Sequence, residues 1–288
     1  MGSPVSCIIP THLRDDLLAE AIESILAQTH APLEIIVSDN TDSTSTRDLV
    51  ASYASKTSVA VKYIGHNQGG RGCISRTIGV EAARGDVVAF LDDDDLWEPT
   101  YLEEMLRVKR QSGSELVYGW LTYLLEDVRT PGKAVPPGLG PGDFILANPG
   151  TVISNLMVDR DVYLRLGGFD EDVHPPYDKD FIARALLAGC RYAVLPKRLV
   201  LFRQHAGARE SRHGPVFLRG QRALYAKHKH WMPLFMRLNM RVKIAAATVE
   251  QKPGWLASLL TRGMGLYLFG VQVVHERRRG YRRRREDL

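Results

Sequence analysis

The chain has 288 residues, of which 44% are hydrophobic and 25% are charged, a composition typical of a soluble globular protein. This apolar content is enough to form a core and excludes a mainly disordered chain, and three widely spaced cysteines exclude a small disulfide-stabilised scaffold. The net charge of +5 lies mostly in residues 276–288, which contain seven arginines and three acidic residues. This distribution indicates a basic tail and does not favour a nucleic-acid-binding body.

The sequence gives no signal of membrane insertion. The N-terminus lacks the basic region and the long apolar run of a signal peptide. The apolar stretch at residues 256–274 is interrupted by Arg262, and a membrane span needs about 20 apolar residues. We therefore expect a cytoplasmic protein, with peripheral contact at the inner face of the membrane as the alternative.

The first 130 residues alternate short apolar runs with amphipathic segments, a pattern typical of an α/β fold with parallel strands. Ligands of such sheets bind at the carboxyl ends of the strands, so candidate site residues are sought there. The predicted strands are residues 5–10, 33–37, 59–64, 87–91 and 116–121, and the predicted helices are residues 15–28, 46–54, 76–83 and 101–111.

The pattern changes after residue 128. Residues 129–150 contain five prolines among glycines and predict a loop or linker. Residues 205–214 predict a polar mobile loop, and residues 215–275 predict a helical region. Between them, the predicted strands are residues 151–158, 192–195 and 199–203, and the predicted helices are residues 161–166 and 178–188.

Four consecutive aspartates at residues 92–95 directly follow a predicted buried strand. Their mutual repulsion is unfavourable unless a cation offsets it. Oxygen ligands suit a hard divalent ion, and Mg²⁺ commonly takes substrate phosphates as its other ligands. A solvated acidic turn is the alternative, but the position at the end of a strand favours a metal site.

Other polar residues are compatible with chemistry and also with a structural role. Asp39, at the end of the second strand, could bind a nucleobase or a ribose, or cap the next helix. Asp178, at the start of a predicted helix, could be a general base or a first-turn carboxylate favoured by the helix dipole. Arg203 could bind a diphosphate and His205 a metal, although a lone histidine in a loop is usually only solvated.

Four segments of the chain, in order, resemble family-2 glycosyltransferases of the GT-A fold over about residues 4–212. The resemblance implies a Rossmann-like mixed sheet flanked by helices, with a C-terminal helical appendage. It also implies a catalytic domain at residues 1–214, with a nucleotide-binding half at 1–128 and an acceptor half at 150–214, then a helical region at 215–275 and the tail at 276–288. The segments are VSCIIPTHLRDDLLAEAIESILAQTHAPLEIIVSDNTDS, HNQGGRGCISRTIGVEAARGDVVAFLDDDDLWEP, LGGFDEDVHPPYDKDFIARAL and LPKRLVLFRQHAGARES.

The resemblance also implies a role for each matching residue. Asp178 would be the catalytic base, Arg203 would approach the diphosphate, and Asp94 and His205 would bind the metal. The residues implied in nucleotide binding are Pro10, Thr11, His12, Arg14, Asp39, Arg76, Asp92 and Asp93.

The chain departs from the family pattern at several positions. His12 and Leu13 stand where the family usually has an aromatic residue followed by Asn, although an imidazole can still stack on a base. Thr77 replaces an Asn that often follows the matching arginine, and Tyr177 replaces an acidic residue that often precedes the base. Asp95 is expected to face the helix that follows it.

The implied reaction is inverting transfer of a sugar from a UDP- or dTDP-sugar to an acceptor hydroxyl, with Mn or Mg as cofactor. The acceptor would be a cell-envelope glycan, a lipid-linked saccharide or a small molecule such as an antibiotic. Residues 231–249 and the tail could contact anionic lipid, or pack on the domain or on a second subunit of a homo-oligomer.

Other functions stay open as alternatives. A sugar-1-phosphate nucleotidyltransferase would normally carry a Gly-rich basic loop after the first strand, where this chain has PTHLRDD. An aspartyl phosphatase would use Asp92 as nucleophile, early in the chain, but here three predicted strands come before the strand that leads to Asp92. A non-enzymatic membrane- or RNA-binding module using the tail would leave Asp39, Asp94 and Asp178 without a shared purpose.

Overall fold

A computed structural model of the chain describes residues 3–68, 72–204 and 214–250, with side chains up to residue 248 in the last helix. The chain divides into two compact units, residues 1–208 and residues 209–288. His205 and the rest of the predicted loop up to residue 213, residues 251–275 of the predicted helical region, and the Arg-rich tail lie outside the described residues.

The described part of the first unit is built on a mixed sheet. Four strands near one edge run parallel to one another, because the connections between them carry helices. The sheet has the strand order β3–β2–β1–β4–β8–β6–β9–β5, with β7 paired to β6, and β8 is antiparallel to both of its neighbours. The strands are β1 (Val5–Thr11), β2 (Glu34–Asp39), β3 (Ala60–Gly65), β4 (Val87–Phe90), β5 (Leu96–Trp97), β6 (Leu116–Leu125), β7 (Val128–Pro131), β8 (Leu156–Asp159) and β9 (Tyr192–Arg203).

Helices cover both faces of this sheet. Because side chains alternate along a strand, Ile9 of β1 packs with one buried cluster and Ile8 with the other. The cluster around Ile9 includes residues of α1, α2 and α4, and the cluster around Ile8 includes residues of α3, α5, α6 and α7. The helices are α1 (Asp15–Leu26), α2 (Thr44–Ala54), α3 (Gly72–Ala82), α4 (Tyr101–Ser112), α5 (Pro141–Leu146), α6 (Arg160–Arg165) and α7 (Tyr177–Leu187).

The predicted α/β fold with a mixed sheet flanked by helices is confirmed, but the prediction of a loop at residues 129–150 is wrong in part. β7 pairs with β6 in a hairpin, and Pro141 begins α5. Proline is tolerated in a first helical turn because that turn's N–H groups have no partner within the helix. A proline-rich segment can therefore still contain regular structure.

Three further differences concern the strands. The predicted strand at residues 151–158 contains a 3₁₀ turn (Ile153–Asn155) before β8. The strands predicted at 192–195 and 199–203 form the single strand β9, which is irregular in its pairing with β6. The short strand β5 was not predicted, because two residues give no periodic signal.

The described residues of the second unit form two helices, α8 (Pro215–His228) and α9 (Leu234–Glu250). They agree with the helical prediction for this region and with the predicted C-terminal helical appendage. Across residues 3–68, 72–204 and 214–250, no helix combines the length and the hydropathy that a membrane span requires.

Candidate active site

The carboxyl ends of the parallel strands bring the predicted site residues to one edge of the sheet. Thr11 at the end of β1 is the register partner of Asp39 at the end of β2. Ile8 pairs with Phe90 near the end of β4, so the acidic turn at residues 92–95 follows at the same edge. This placement agrees with the expectation from the α/β pattern.

Three of the four aspartates in the acidic turn converge. Carboxylate oxygens of Asp92, Asp94 and Asp95 lie within 4.8 Å of one another, and we call these three side chains the acid cluster. A set of hard oxygen donors at this spacing fits a divalent ion such as Mg²⁺ or Mn²⁺. The residues present therefore fit the metal that the family resemblance implies.

The prediction that Asp95 faces the following helix is wrong. Its buried carboxylate accepts a hydrogen bond from Ser154 Oγ at 2.5 Å and one from the backbone N–H of Arg203 at 2.9 Å. A buried carboxylate requires donors, and the 3₁₀ turn and β9 supply them. Burial, together with the charges of Asp92 and Asp94, raises the pKa of Asp95.

Asp93 points away from the acid cluster toward β1. It accepts a hydrogen bond from Thr11 Oγ1 at 2.8 Å, and Arg14 Nη1 lies 3.3 Å from its carboxylate and 3.2 Å from that of Asp94. Burial raises the pKa of Asp93 to about 6, although the contacts with Thr11 and Arg14 oppose this shift. Arg14 thus connects the loop after β1 to the acidic turn.

Arg76 of α3 is buried between the acid cluster and α7. Its Nη2 forms an ion pair with Asp92, and its Nη1 donates a hydrogen bond to the hydroxyl of Tyr177 at 2.8 Å. The arginine predicted to bind nucleotide therefore also links two elements of the site.

The first turn of α7 carries two aspartates in different environments. Asp180 is fully buried and forms an ion pair with Arg184 at 2.7 Å. Arg184 also donates to the backbone carbonyls of Leu166 and Gly168, which fixes α7 to the preceding loop. Asp178 is half-buried, and burial raises its pKa against the opposing influence of Lys179. Asp180 has a structural role, which leaves Asp178 as the candidate base.

Asp39 is buried at the end of β2 and accepts four hydrogen bonds from its own chain. The donors are the backbone N–H and the hydroxyl of Thr41, at 2.9 Å and 2.6 Å, the N–H of Ser43 at 2.8 Å, and the hydroxyl of Tyr63 at 2.8 Å. Burial alone would raise the pKa of Asp39, but these bonds lower it. Asp39 therefore holds the loop that leads into α2.

His12 lies at the same edge as Asp39. Its Nδ1 is 2.5 Å from Oδ1 of Asn40, which directly follows Asp39. Pro10, predicted in the same nucleotide-binding group, is buried in β1 opposite Ser38 of β2. The residues predicted to contact a base thus lie on two adjacent strand ends.

Arg203, at the end of β9, contacts the acidic turn through several atoms. Its Nε donates to the carbonyl oxygen of Asp94 at 2.9 Å, and its Nη2 pairs with Glu20 of α1 at 2.5 Å. With the N–H bond to Asp95, these contacts hold the turn in place. His205, the second predicted metal ligand, is outside the described residues.

Sequence reasoning missed Ser154 and Glu20 and treated Tyr177 only as a departure from a family pattern. Ser154 is 59 residues from Asp95, and Glu20 is 183 residues from Arg203, so no local spacing could reveal either contact. The position of Tyr177 directly before the candidate base Asp178 is a signal in the sequence that could have indicated a role for Tyr177 in the site.

Comparison with known proteins matches residues 6–144 to the family described as "Glycosyl transferase family 2". The chain is 26% identical over 156 residues to the UDP-Glc:alpha-D-GlcNAc-diphosphoundecaprenol beta-1,3-glucosyltransferase WfgD of Escherichia coli, covering 54% of this chain and 60% of that one. It is 35% identical over 105 residues to the validoxylamine A glucosyltransferase of Streptomyces hygroscopicus subsp. limoneus, covering 35% of this chain and 23% of that one.

Among solved structures, S. aureus TarS 1-349 in complex with UDP-GlcNAc superposes with a TM-score of 0.66 at 17% identity, covering 91% of this chain and 79% of that one. This likeness is one of fold. The chain spans 33% of an uncharacterized glycosyltransferase of Nostoc, to which it is 37% identical over 109 residues that make up 38% of this chain. It spans 62% of an uncharacterized glycosyltransferase of Haemophilus influenzae, at 26% identity over 63% of this chain.

Proposed function

Because residues 6–144 belong to glycosyl transferase family 2, we propose that this chain transfers a sugar, with inversion, from a UDP- or dTDP-sugar to an acceptor hydroxyl. Membership confirms the resemblance read from the sequence. The observation that carries the proposal is the acid cluster at the sheet edge, which Arg76 connects to the helical turn bearing Asp178. The names of two similar proteins, which mention UDP-Glc and UDP-GlcNAc, support a nucleotide-sugar donor.

We assign a divalent metal, Mn or Mg, to the acid cluster, with Asp94 as a direct ligand. When bound, the ion supplies positive charge that offsets the charge of the diphosphate leaving group. Carboxylate oxygens of Asp92 and Asp95 lie within 4.8 Å of that of Asp94, which is close enough for the three side chains to share one ion. Arg203, anchored on Asp94 and Glu20, adds a positive charge beside the same turn.

We assign the nucleotide to the ends of β1 and β2. The Asp39 carboxylate is already saturated by four donors, so an N–H group of a base has to replace one of them. The hydroxyls of Thr41 and Tyr63 are the donors that can rotate away, whereas the two backbone N–H groups are fixed. We further assign the ring of His12, which contacts Asn40, to stacking on the same base, and the ion pair of Arg14 and Asp93 to the side of the diphosphate.

Asp178 is proposed as the general base that removes the proton from the acceptor hydroxyl. The freed oxygen attacks the anomeric carbon on the face opposite the nucleotide while the bond from that carbon to the diphosphate breaks. This inverts the configuration and releases the nucleoside diphosphate. Because burial raises the pKa of Asp178, its ionised carboxylate is a stronger base than that of an exposed aspartate. The acceptor is assigned to the side of residues 150–214, and the names of two relatives mention alpha-D-GlcNAc-diphosphoundecaprenol and validoxylamine A.

The test is a panel of nucleotide sugars with Mn²⁺ or Mg²⁺, measured by release of the nucleoside diphosphate and by thermal shift. Asp178→Asn should bind the donor within about threefold of wild type and lose transfer by at least about a hundredfold. The matched control is Asp161→Asn, because Asp161 is an exposed carboxylate on α6. A response to no nucleotide sugar would count against the proposal, and near wild-type turnover in Asp178→Asn would remove the base assignment.

A further inference from the structure

Tyr177 occupies a special position between two parts of the site. It is the first residue of α7 and directly precedes Asp178. Its hydroxyl accepts a hydrogen bond of 2.8 Å from Arg76 Nη1, and the other terminal nitrogen of the same guanidinium is paired with Asp92. A continuous chain of contacts thus joins the acid cluster to the turn that carries the proposed base.

Packing fixes both Tyr177 and Arg76 in this chain of contacts. The Tyr177 ring stacks on His174 with centroids 5.5 Å apart and contacts Phe169 at 5.2 Å. Arg76 is buried, and Gly72 provides the space for it, since a Cβ at Gly72 would lie 2.6 Å from Arg76 Nη1. A planar guanidinium held at two of its nitrogens has little freedom to reorient. The position of Arg76 therefore depends on Tyr177 as well as on Asp92.

We propose that Tyr177 is a positioning residue, which acts through Arg76 to fix the Asp178 carboxyl relative to the acid cluster. This inference rests on the proposed transferase function. In a glycosyl transfer the base must reach the acceptor oxygen while an ion held by the cluster would offset the charge of the leaving group, so the separation of the two parts affects the rate. The phenol of Tyr177 holds Arg76 through a neutral acceptor, so the positive charge of Arg76 is paired with the carboxylate of Asp92.

The test compares Tyr177→Phe with Tyr177→Glu in the full chain. Phe keeps the ring packing and loses the bond to Arg76, whereas Glu loses the ring and keeps an acceptor for Arg76. We expect kcat to fall by about tenfold to a hundredfold in Tyr177→Phe, the range for losing a hydrogen bond to a charged group, and to fall less in Tyr177→Glu. If ring packing were the only role, the order would be reversed, and that result would overturn the proposal.

Tyr53→Phe is the matched control, because the Tyr53 hydroxyl also bonds to a charged group, Glu23, at 2.8 Å on the α1–α2 side. Hydrogen exchange gives a second readout that needs no activity. Tyr177→Phe should speed amide exchange both at residues 92–95 and in the first turn of α7, and Tyr53→Phe should do so at neither. Unchanged exchange at residues 92–95 would refute the connection. If exchange is faster at both places in Tyr177→Phe but the wild-type protein consumes no nucleotide sugar, the connection through Tyr177 stands and the transferase function is rejected.

Discussion

Replacing Ser154 by alanine should weaken both the fold and the acid cluster. Ser154 is fully buried, its hydroxyl donates to Asp95 at 2.5 Å, and the same oxygen accepts from the backbone N–H of Asp92 at 3.1 Å. The first bond involves a carboxylate and is worth about 1.5–3 kcal/mol, and the second leaves an unpaired N–H at about 1–3 kcal/mol. Because the two losses share one atom and are not fully additive, we expect the free energy of unfolding to fall by about 3 kcal/mol.

The assay is urea denaturation of Ser154→Ala and of the control Ser52→Ala, whose hydroxyl bonds only to the carbonyl of Leu49 at 2.7 Å in the described residues. A Mn²⁺ titration by thermal shift measures the second effect. We expect about tenfold weaker metal binding, the lower end of the effect of removing a hydrogen bond that orients a ligand. A loss of stability below about 0.5 kcal/mol with unchanged metal affinity would refute the reasoning, since that is the range of a neutral surface change.

Further predictions concern pH and backbone conformation. The buried Glu34 is bound by Lys62, Arg84 and Ser6, and although burial alone would raise its pKa, these contacts lower it from 4.5 to about 2. This contribution to stability is present above pH 4.5 and is lost as the pH falls toward 2. Urea denaturation should therefore show that the free energy of unfolding falls more steeply from pH 5 to pH 3 in wild type than in Glu34→Gln. Equal falls in the two proteins would contradict this prediction. Leu13→Asn should raise the free energy of unfolding by about 0.5–1 kcal/mol, because Leu13 is exposed and has a φ of 54°, a left-handed conformation that Asn adopts more readily. An unchanged free energy of unfolding in urea denaturation would contradict this. Since the base must be ionised and burial raises the pKa of Asp178, kcat/KM should fall on acidification at a higher pH than an exposed aspartate would give, and a flat profile down to pH 4 would exclude this base.

The edge of the sheet on which the candidate site lies was predictable from the sequence, but the contacts within the candidate site were not. Thr11, Asp39 and Asp92 each follow an apolar run, and parallel strands separated by helices end at the same edge. Arg76 and Tyr177 are 101 residues apart, so their hydrogen bond follows from how α3 and α7 pack on the same face of the sheet. Local patterns cannot report contacts that depend on such packing.

The same reasoning explains the errors. The prolines and glycines at residues 129–150 correctly indicate turns, but they do not reveal that Val128–Pro131 finds a strand partner in β6. Asp95 was expected at the following helix because that helix is its nearest neighbour in sequence. Its true partners, Ser154 and Arg203, come from elements that join the sheet much later in the chain. The strand partner of residues 128–131 and the contacts of Asp95 with residues distant in the sequence decide the structure at these two places, and the local pattern does not.

The contacts of Arg203 have a consequence for how this chain can be divided. The segment that matches the family, residues 6–144, contains all four aspartates of the turn, yet the donors to the Asp95 carboxylate and to the backbone carbonyl of Asp94 come from residues 154 and 203. A fragment that ended at residue 144 would keep Arg14 and Arg76 but would carry the repelling carboxylates without Ser154 and Arg203, which hold Asp95 and the backbone of the turn. The smallest piece able to reconstitute the turn therefore extends through β9, and a split of this chain into two complementing fragments would place half of one site on each.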